Sequence, residues 1–322
     1  MNINEIKKFK NGEILSELTA YVKSVEECKA KTGSNYLKVS LQDKTGEIQL
    51  QKWNSSEKDK EFLKAGTVMS FKNSVVSIYN DVFSLKTQTG TVIEIEDDKD
   101  VNDYIFSILP PFGELKTRFN THYGSITNPE LKAVLSNIVK PKYKEFLIWP
   151  AAEKMHHDVK YGLLYHTVEI LDICEALCEL PNYKTNVNKE LLKVGAMLHD
   201  VGKITEYSMQ EDGSGKLTKQ MLKGHLVITS QELFHLFKSG IISEALELEL
   251  SHLVLSHHGK HEYGSPVIPA TLEAFILHTA DVLSARTYAY LYEGSQLEPG
   301  EIADKGSLIL DRARVYKPTW NL

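Results

Sequence analysis

The histidines of this chain are gathered in one region. Eleven of the twelve lie between His156 and His278, in less than half of the 322 residues, and only His122 lies outside. Imidazole and carboxylate side chains are common ligands of divalent metal ions in proteins, and imidazole also exchanges protons near neutral pH. The clustering therefore indicates metal-dependent chemistry, provided that these side chains point to one place.

A histidine and an aspartate stand side by side in the segment NKELLKVGAMLHDVGK. Asn188 is a good N-cap, so the segment predicts a helix of about four turns that runs towards Gly202. His199 and Asp200 then fall on the same stripe of this helix as its apolar residues. A buried carboxylate without a partner costs several kcal/mol, so a cation should meet it. Lys203 can do so as an ion pair, and a divalent metal ion shared with His199 would do so better.

Two further helical segments carry a ligand-type residue on a face that should be apolar. His166 shares a face with Ile170 and Ile173, and Asp281 shares one with Leu277. A single inward histidine is most often a hydrogen-bonded core residue, and a single inward aspartate is often a cap or half of an ion pair. Three separate helices with this property favour one shared metal site.

Four of these residues, in this order, form a signature: His166, His199, Asp200 and Asp281. The order resembles the H…HD…D signature of the HD superfamily of metal-dependent phosphohydrolases, and the stretch HDVGK resembles its extended form. Gly224-His225 and the stretch SHHG at 256–259 are similar to elements of HD proteins that hold two metals. The resemblance covers roughly residues 150–290.

The HD resemblance implies a phosphohydrolase site with two divalent ions. The four signature residues would hold one ion, and Asp200 would bridge to a second ion held by His225 and by His257 or His258. Lys203 would place a positive charge where negative charge grows on the phosphate, with a salt bridge to Asp200 as its alternative role. A donor set of His and Asp suits manganese, iron, cobalt, magnesium or zinc.

Two more residues are candidates for the rim of this site. His157 precedes the stretch GLLYHT, where the start of a helix is its alternative role. Arg286 follows Asp281 but diverges from its face of the helix, which makes it the weaker candidate for a phosphate contact.

The elements that precede this region are of another kind. Up to about residue 95 the sequence predicts five short strands with a helix between the third and the fourth, and a hairpin turn from Asp43 to Gly46. This order is typical of an OB-fold barrel, with an SH3-like barrel as the alternative. We predict an all-β OB-fold domain at 1–95, a linker and connecting helical segment at 96–150, an all-α HD bundle at 151–292 and a C-terminal segment at 293–322.

Alternation in the second and third predicted strands gives one apolar face and one with aromatic rings, a cation and amides. The residues of the second face are Tyr36, Lys38, Gln49, Gln51 and Trp53. OB-folds bind single strands on this face by stacking bases on aromatic rings, although the rings could instead cover the barrel or meet another domain. Residues 1–95 hold 14 Lys and 12 acidic residues, and the whole chain carries a net charge of −6, so any attraction for nucleic acid must be local.

An OB barrel followed by an HD domain, at this total length, resembles the YhaM family of bacterial 3′–5′ exoribonucleases, and the stretch PAAEKMHHDVKYGLLYHT supports the resemblance. It implies removal of nucleoside monophosphates from the 3′ end of single-stranded RNA, with single-stranded DNA as a second substrate and manganese as the expected metal. The chain departs from the family at Tyr161-Gly162, where the family usually has Gly-Gly.

Two other functions stay open at this point. The chain could be an HD phosphodiesterase or nucleotidohydrolase for small nucleotides, with the barrel as a regulatory module. It could also be a nucleic-acid-binding protein with an idle HD domain. Three irregularly spaced cysteines, with no apolar run that would mark a signal peptide or a membrane span, predict a cytoplasmic protein without a membrane partner. Assembly into a homo-oligomer is left open.

Overall fold

Alternating apolar residues close the first part of the chain into a barrel. The computed structural model describes residues 1–30, 33–80, 82–99, 101, 104, 110–151, 160–210 and 214–319. The strands of the barrel are β1 (Ile14–Lys29), β2 (Asn35–Asp43), β3 (Gly46–Trp53), β4 (Val68–Tyr79), β5 (Val82–Lys86) and β6 (Val92–Ile95), with helix α1 (Glu57–Phe62) between β3 and β4.

Five of these strands form a ring. The first half of β1 pairs with β4 and its second half with β2, while β3 pairs with β2 on one side and in parallel with β5 on the other. Strand β5 completes the ring by pairing with the end of β4. This order, with a helix between β3 and β4, is the OB-fold, and it confirms the predicted all-β class. Strand β6, which was not predicted, adds to the first half of β4.

The predicted hairpin between β2 and β3 is confirmed, and one side chain holds it. Asp43 pairs with Gly46, and its Oδ1 accepts hydrogen bonds from the N–H and the hydroxyl of Thr45 at 2.7 and 2.6 Å. Its Oδ2 accepts another from the N–H of Ile3 at 2.6 Å. A local turn of this kind follows from the side chain of one residue, which explains why the sequence could predict it.

The rest of the chain is mostly helical, as predicted. Its helices are α2 (Phe112–Gly124), α3 (Pro129–Val134), α4 (Tyr143–Ile148), α5 (Gly162–Cys178), α6 (Pro181–Lys184), α7 (Lys189–Leu198), α8 (Lys203–Glu206), α9 (His225–Lys238), α10 (Glu244–Ser256) and α11 (Leu272–Ser295). A short hairpin of β7 (Tyr207–Met209) and β8 (Gly215–Leu217), which was not predicted, separates α8 from α9.

Helix α7 is the central helix of this part, because every residue from Leu191 to Leu198 is buried. Its N-cap is Asn188, as predicted, but the helix ends at Leu198, one turn before the expected end at Gly202. A Cβ atom at Gly202 would lie 2.5 Å from the carbonyl oxygen of His225. The chain therefore turns where it meets the start of α9, and this position tolerates only glycine.

The contacts of the chain divide it into two units. One contains Met1–Ile108, Tyr292–Ile302 and Tyr316–Leu322, and the other contains Leu109–Leu291 and Ala303–Val315. We call them the barrel unit and the helical unit. Across the described residues, none of the helices combines the length and the apolar character that a bilayer crossing requires.

Candidate metal centre and nucleic-acid face

Five helices of the helical unit bring histidines and aspartates together, and most of these residues lie at helix ends. His166 lies in α5 and Asp281 in α11, whereas His199 and Asp200 directly follow α7. His225 opens α9, and His257 and His258 directly follow α10. Side chains at helix ends can point towards a common centre without crowding the apolar faces that pack the helices.

One side of this cluster lies around the Oδ2 atom of Asp200. This atom is 3.3 Å from Nε2 of His199, 3.7 Å from Nε2 of His166 and 2.8 Å from Nζ of Lys203. Nε2 of His166 is also 3.0 Å from Oδ1 of Asp281. The donor atoms of His166, His199 and Asp281 lie within 4.8 Å of one another, which is close enough to share one ion.

The other side lies around the Oδ1 atom of Asp200. This atom is 3.4 Å from Nε2 of His225 and 3.8 Å from Nε2 of His257. The donor atoms of His225, His257 and His258 also lie within 4.8 Å of one another. The two oxygens of a single carboxylate therefore face two separate groups of donors, and both His257 and His258 belong to the second group.

Several donor atoms of the cluster are buried and lack a hydrogen-bond partner in the described part of the chain: His199 Nε2, Asp200 Oδ1, His225 Nε2 and His258 Nδ1. A buried polar atom without a partner costs roughly 1–3 kcal/mol. Four such atoms facing each other are costly unless a cation lies between them. The residues therefore fit a metal-binding site.

In three of the histidine rings, the hydrogen bond made by Nδ1 determines which nitrogen can bind a metal ion. Nδ1 of His199 lies 2.7 Å from the carbonyl of Ala196, and Nδ1 of His257 lies 2.8 Å from that of Val254. A carbonyl only accepts hydrogen bonds, so each Nδ1 carries the proton and, in a neutral ring, each Nε2 carries a lone pair. His225 follows the same rule, since its Nδ1 donates to a carboxylate oxygen of Glu206 at 2.7 Å. In a neutral ring, the Nε2 lone pair of His225 then faces Oδ1 of Asp200. Two acceptors facing each other repel, and a cation between them would remove the repulsion.

Sequence reasoning missed the carboxylates that orient the outer rings. Glu206 also accepts a hydrogen bond from the backbone N–H of His225 at 3.3 Å. On the other side, the Ser284 hydroxyl donates to Glu169 at 2.5 Å, which leaves its oxygen to accept from Nδ1 of His166 at 2.9 Å. Ser284 follows Asp281 by one helical turn, which was an available signal. Glu169 and Glu206 gave none, because their partners become neighbours only in the folded chain.

Charges in the cluster stabilise the ionised carboxylates. Burial alone would raise the pKa of Asp200, but the ammonium of Lys203 and the imidazoles of His199 and His225 outweigh it and hold the pKa well below its ordinary value. Burial also opposes the ionised form of Asp281, and the hydrogen bond and charge of His166 lower its pKa. Both aspartates are therefore in the form that binds cations.

Two histidines of the second group, His257 and His258, stay neutral. Burial, together with the neighbouring His258 and His199, lowers the pKa of His257 well below its ordinary value. Burial and then His225 lower the pKa of His258. Only a neutral imidazole can coordinate a metal, so these shifts keep both rings available near neutral pH.

Of the two rim candidates, only Arg286 lies in the described part of the chain, and it is not brought to this cluster. Arg286 donates to Asp311 at 2.5 Å and, among the residues that the structure describes, pairs with none of the cluster residues. His157 lies outside the described residues. Tyr161 has a left-handed backbone with φ of 70°, a conformation that glycine adopts without strain. Its ring packs on Phe112 with centroids 4.6 Å apart.

In the barrel unit, antiparallel pairing brings the five predicted residues of the nucleic-acid face together. Tyr36 pairs with Trp53 and Lys38 with Gln51, while Gln49 follows on the same face. The rings of Tyr36 and Trp53 stack with centroids 4.6 Å apart and planes inclined by 28°. All five side chains are half-buried, while the alternate residues of both strands form the core.

The fold and the cluster define the class to which the helical unit belongs. The HD domain family matches residues 163–286, a range that contains every residue of the cluster. The chain is 32% identical to the 3′-5′ exoribonuclease YhaM of Shouchella clausii over 292 residues, which cover 91% of this chain and 90% of that protein. It is 30% identical to YhaM of Bacillus subtilis over 300 residues, with coverages of 93% and 94%. The chain therefore belongs to the YhaM family.

A comparison with solved structures finds likeness for the barrel. The OB domain of a protein from Methanosarcina mazei is 28% identical to this chain, covering 27% of this chain and 76% of that one, with a TM-score of 0.23.

Proposed function

We propose that the protein is a metal-dependent 3′–5′ exoribonuclease that hydrolyses single-stranded RNA and releases nucleoside monophosphates. The observation that carries the proposal is the position of Asp200, whose two oxygens lie near two groups of histidine and aspartate donors. Several of these donor atoms are buried and have no hydrogen-bond partner among the described residues. Membership of a family whose named relatives are 3′-5′ exoribonucleases supports the reaction and its direction.

Each group of donors would hold one divalent ion. We assign His166, His199 and Asp281 to the first ion and His225, His257 and His258 to the second, with Asp200 shared by both. Bound divalent ions supply Lewis acidity, which neutralises phosphoryl charge and makes water a competent nucleophile at neutral pH. Manganese is the metal we expect, and a donor set of histidines and ionised aspartates suits iron, cobalt, magnesium and zinc as well.

Lys203 would serve both as a structural partner and in catalysis. Its ammonium holds Oδ2 of Asp200 at 2.8 Å, and this ion pair keeps the carboxylate in one orientation. Burial would lower the pKa of Lys203, but Asp200 outweighs it and the pKa is raised, so the side chain stays charged. A fixed positive charge at the edge of the cluster can stabilise the negative charge that grows on a phosphate during hydrolysis.

The face of the barrel unit would bind the RNA strand. Stacked rings with a cation and amides beside them suit bases and phosphates, and stacking tolerates every base, as a general exonuclease requires. A cavity of about 610 Å³ opens beside Trp53, with Lys52 and Phe62 among its walls, and extends the surface that a nucleotide could contact. Lys38 is half-neutralised by Glu26 at 3.8 Å, so we expect stacking to contribute more than charge.

The test measures from which end the enzyme shortens RNA. A 5′-labelled oligoribonucleotide, incubated with the protein and manganese, should give a ladder of products that keep the label and shorten one nucleotide at a time. A 3′-labelled copy should release labelled mononucleotide first. Chelation should stop both reactions, and addition of each candidate metal in turn should identify the most effective one.

The same assay separates the alternatives. A protein that ignores RNA but hydrolyses mononucleotides or cyclic nucleotides is a small-nucleotide phosphohydrolase. One that binds RNA with no metal-dependent hydrolysis of any phosphodiester has an idle HD domain. An oligodeoxyribonucleotide of the same sequence measures the preference for RNA over single-stranded DNA.

A further inference from the structure

A cavity of about 320 Å³ opens beside the second group of donors, within the helical unit. Its walls include His225, His258 and Tyr263. The volume is at the lower end of the range of roughly 300–1,000 Å³ that small-molecule sites occupy. It offers room for one nucleoside, but not for a stack of bases.

The loop that carries Tyr263 is anchored, although the ring itself is 45% exposed. Gly264 ends the helical turn of Tyr263 with φ of 83°. The next residue, Ser265, is buried, and its hydroxyl lies 3.0 and 2.7 Å from the carbonyls of Leu255 and Val267. Because the loop is anchored, Tyr263 loses less conformational freedom when a flat ligand stacks on its ring than it would on a mobile loop.

The other walls suit the remaining parts of a nucleotide. Leu226, Val227 and Pro266 present apolar surface, and Lys223 adds a cation that favours an anionic ligand. The imidazoles of His225 and His258 border the cavity on the side where a scissile phosphate would bind. The cavity therefore has an aromatic ring for a base at a place adjoining the groups that would act on the phosphate.

We propose that this cavity holds the 3′-terminal nucleoside of the substrate and that Tyr263 stacks on its base. The inference rests on the proposed exonuclease function. It identifies the nucleotide that the cavity would bind, which is the nucleotide that is removed. Tyr263 positions the terminal nucleotide and takes no part in bond cleavage. Because every base has a flat face, this contact accepts all four nucleotides.

The first test is equilibrium binding of AMP and of ribose 5-phosphate to the full chain loaded with manganese. The two ligands share the phosphate and the sugar, so the ratio of their Kd values reports the base alone. We expect AMP to bind about tenfold more tightly, within the range that stacking provides. Tyr263→Ala should bring the ratio close to one, while Tyr263→Phe should keep it.

Tyr290→Ala is the matched control, because Tyr290 is 49% exposed in the same unit and does not line the cavity. Circular dichroism checks that each variant is folded, and Tyr263→Leu replaces Tyr263→Ala if that variant unfolds. A parental ratio near one, or a ratio that survives loss of the ring, overturns the proposal.

The second test uses oligoribonucleotides with one abasic residue. Removing the terminal base should lower kcat/KM of the parental enzyme by about tenfold, whereas Tyr263→Ala should hydrolyse the normal and the terminally abasic substrate alike. A larger effect of removing the penultimate base would place that base on Tyr263 instead and overturn the assignment. If no variant and no parental sample shortens RNA, the exonuclease function itself fails, whereas RNA shortening without these base effects defeats only the present inference.

Discussion

Each unit of the molecule buries an aspartate, and the two carboxylates meet different surroundings. Asp43 of the barrel unit is 7% exposed, and both of its oxygens accept hydrogen bonds, from Ile3 and from Thr45. Asp200 of the helical unit is 2% exposed, and its Oδ2 meets Lys203, while its Oδ1 has no hydrogen-bond partner in the part of the chain that the structure describes.

The difference teaches how a structural carboxylate is told from a functional one. Burial is common to both, so burial alone does not decide. Asp43 is surrounded by neutral donors that satisfy it, which leaves no reason for a cation to bind. The second oxygen of Asp200 has no hydrogen-bond donor among the described residues and lies 3.8 Å from Nε2 of the neutral His257, so its burial is favourable only with a cation beside it.

The largest expected effect comes from exchanging each aspartate for asparagine. Asp200→Asn should reduce metal-dependent hydrolysis by more than about 100-fold, because even outer partners of metal ligands contribute 10–100-fold. Asp43→Asn should leave the rate on a small phosphodiester unchanged and lower the free energy of unfolding by about 1–3 kcal/mol, since an amide would face the N–H groups of Ile3 or Thr45. Initial rates with bis(p-nitrophenyl) phosphate and urea unfolding measure the two effects. Equal losses of activity would remove the distinction.

A smaller effect is expected from the carboxylate that holds His225. Glu206→Gln keeps the shape of the side chain but removes the charge that favours the protonated Nδ1, so manganese affinity should fall by about 10–100-fold. Electron paramagnetic resonance of free manganese measures the affinity directly. Excess manganese should restore hydrolysis to Glu206→Gln but not to Asp200→Asn. A variant with parental affinity would show that the hydrogen bond only stabilises the loop.

In the barrel unit, the corresponding functional test concerns the stacked rings. Trp53→Ala should raise KM for RNA by about tenfold, because one stacking surface is lost, and leave kcat on a small phosphodiester unchanged. Tyr79→Ala is the control, since Tyr79 lies at the end of β4 and is 78% exposed. If both substitutions change KM equally, the effect belongs to the barrel surface in general and not to this face.

The smallest effect concerns acid stability, at a carboxylate of the helical unit outside the metal centre. Burial would raise the pKa of Asp172, but hydrogen bonds and charges from His122 and Arg118 lower it. Because the folded pKa lies below the unfolded one, the stabilisation is complete above about pH 4 and disappears as pH falls through the folded value. Asp172→Asn should therefore be less stable than the parental protein at pH 7 and equal to it in strong acid. Thermal unfolding across this range measures the difference.

The parts of the fold that the sequence could predict depend on local patterns. Strands β2 and β3 alternate apolar and polar residues, and the turn at Asp43 needs only its own side chain. Strand β6 lacked such a pattern, because Val92 and Ile95 are 44% and 41% exposed and the strand is defined by pairing with β4. The approach of His225 to Gly202, which makes a side chain at position 202 impossible, is likewise a contact that no local signal contains.

The residues of the candidate site likewise divide into those that the sequence could predict and those that only the fold brings together. Inward positions on helical stripes pointed to His166, Asp200 and Asp281, because a ligand-type residue is conspicuous where apolar residues are expected. Glu206 was not conspicuous, since a glutamate after a turn is ordinary and only the fold brings it within 2.7 Å of His225. The assignment of ligands to two ions stays a prediction until metal binding is measured.

The shared carboxylate has a consequence for how the centre fills. One oxygen of Asp200 lies near each group of donors, so an ion bound by one group would draw on the same carboxylate charge that the other group needs. The two occupancies are then thermodynamically linked, because the two ions would compete for the charge of the same carboxylate and would also repel each other. The second ion should therefore bind more weakly than the first, and a centre that holds a single ion should be populated over an intermediate range of metal concentration.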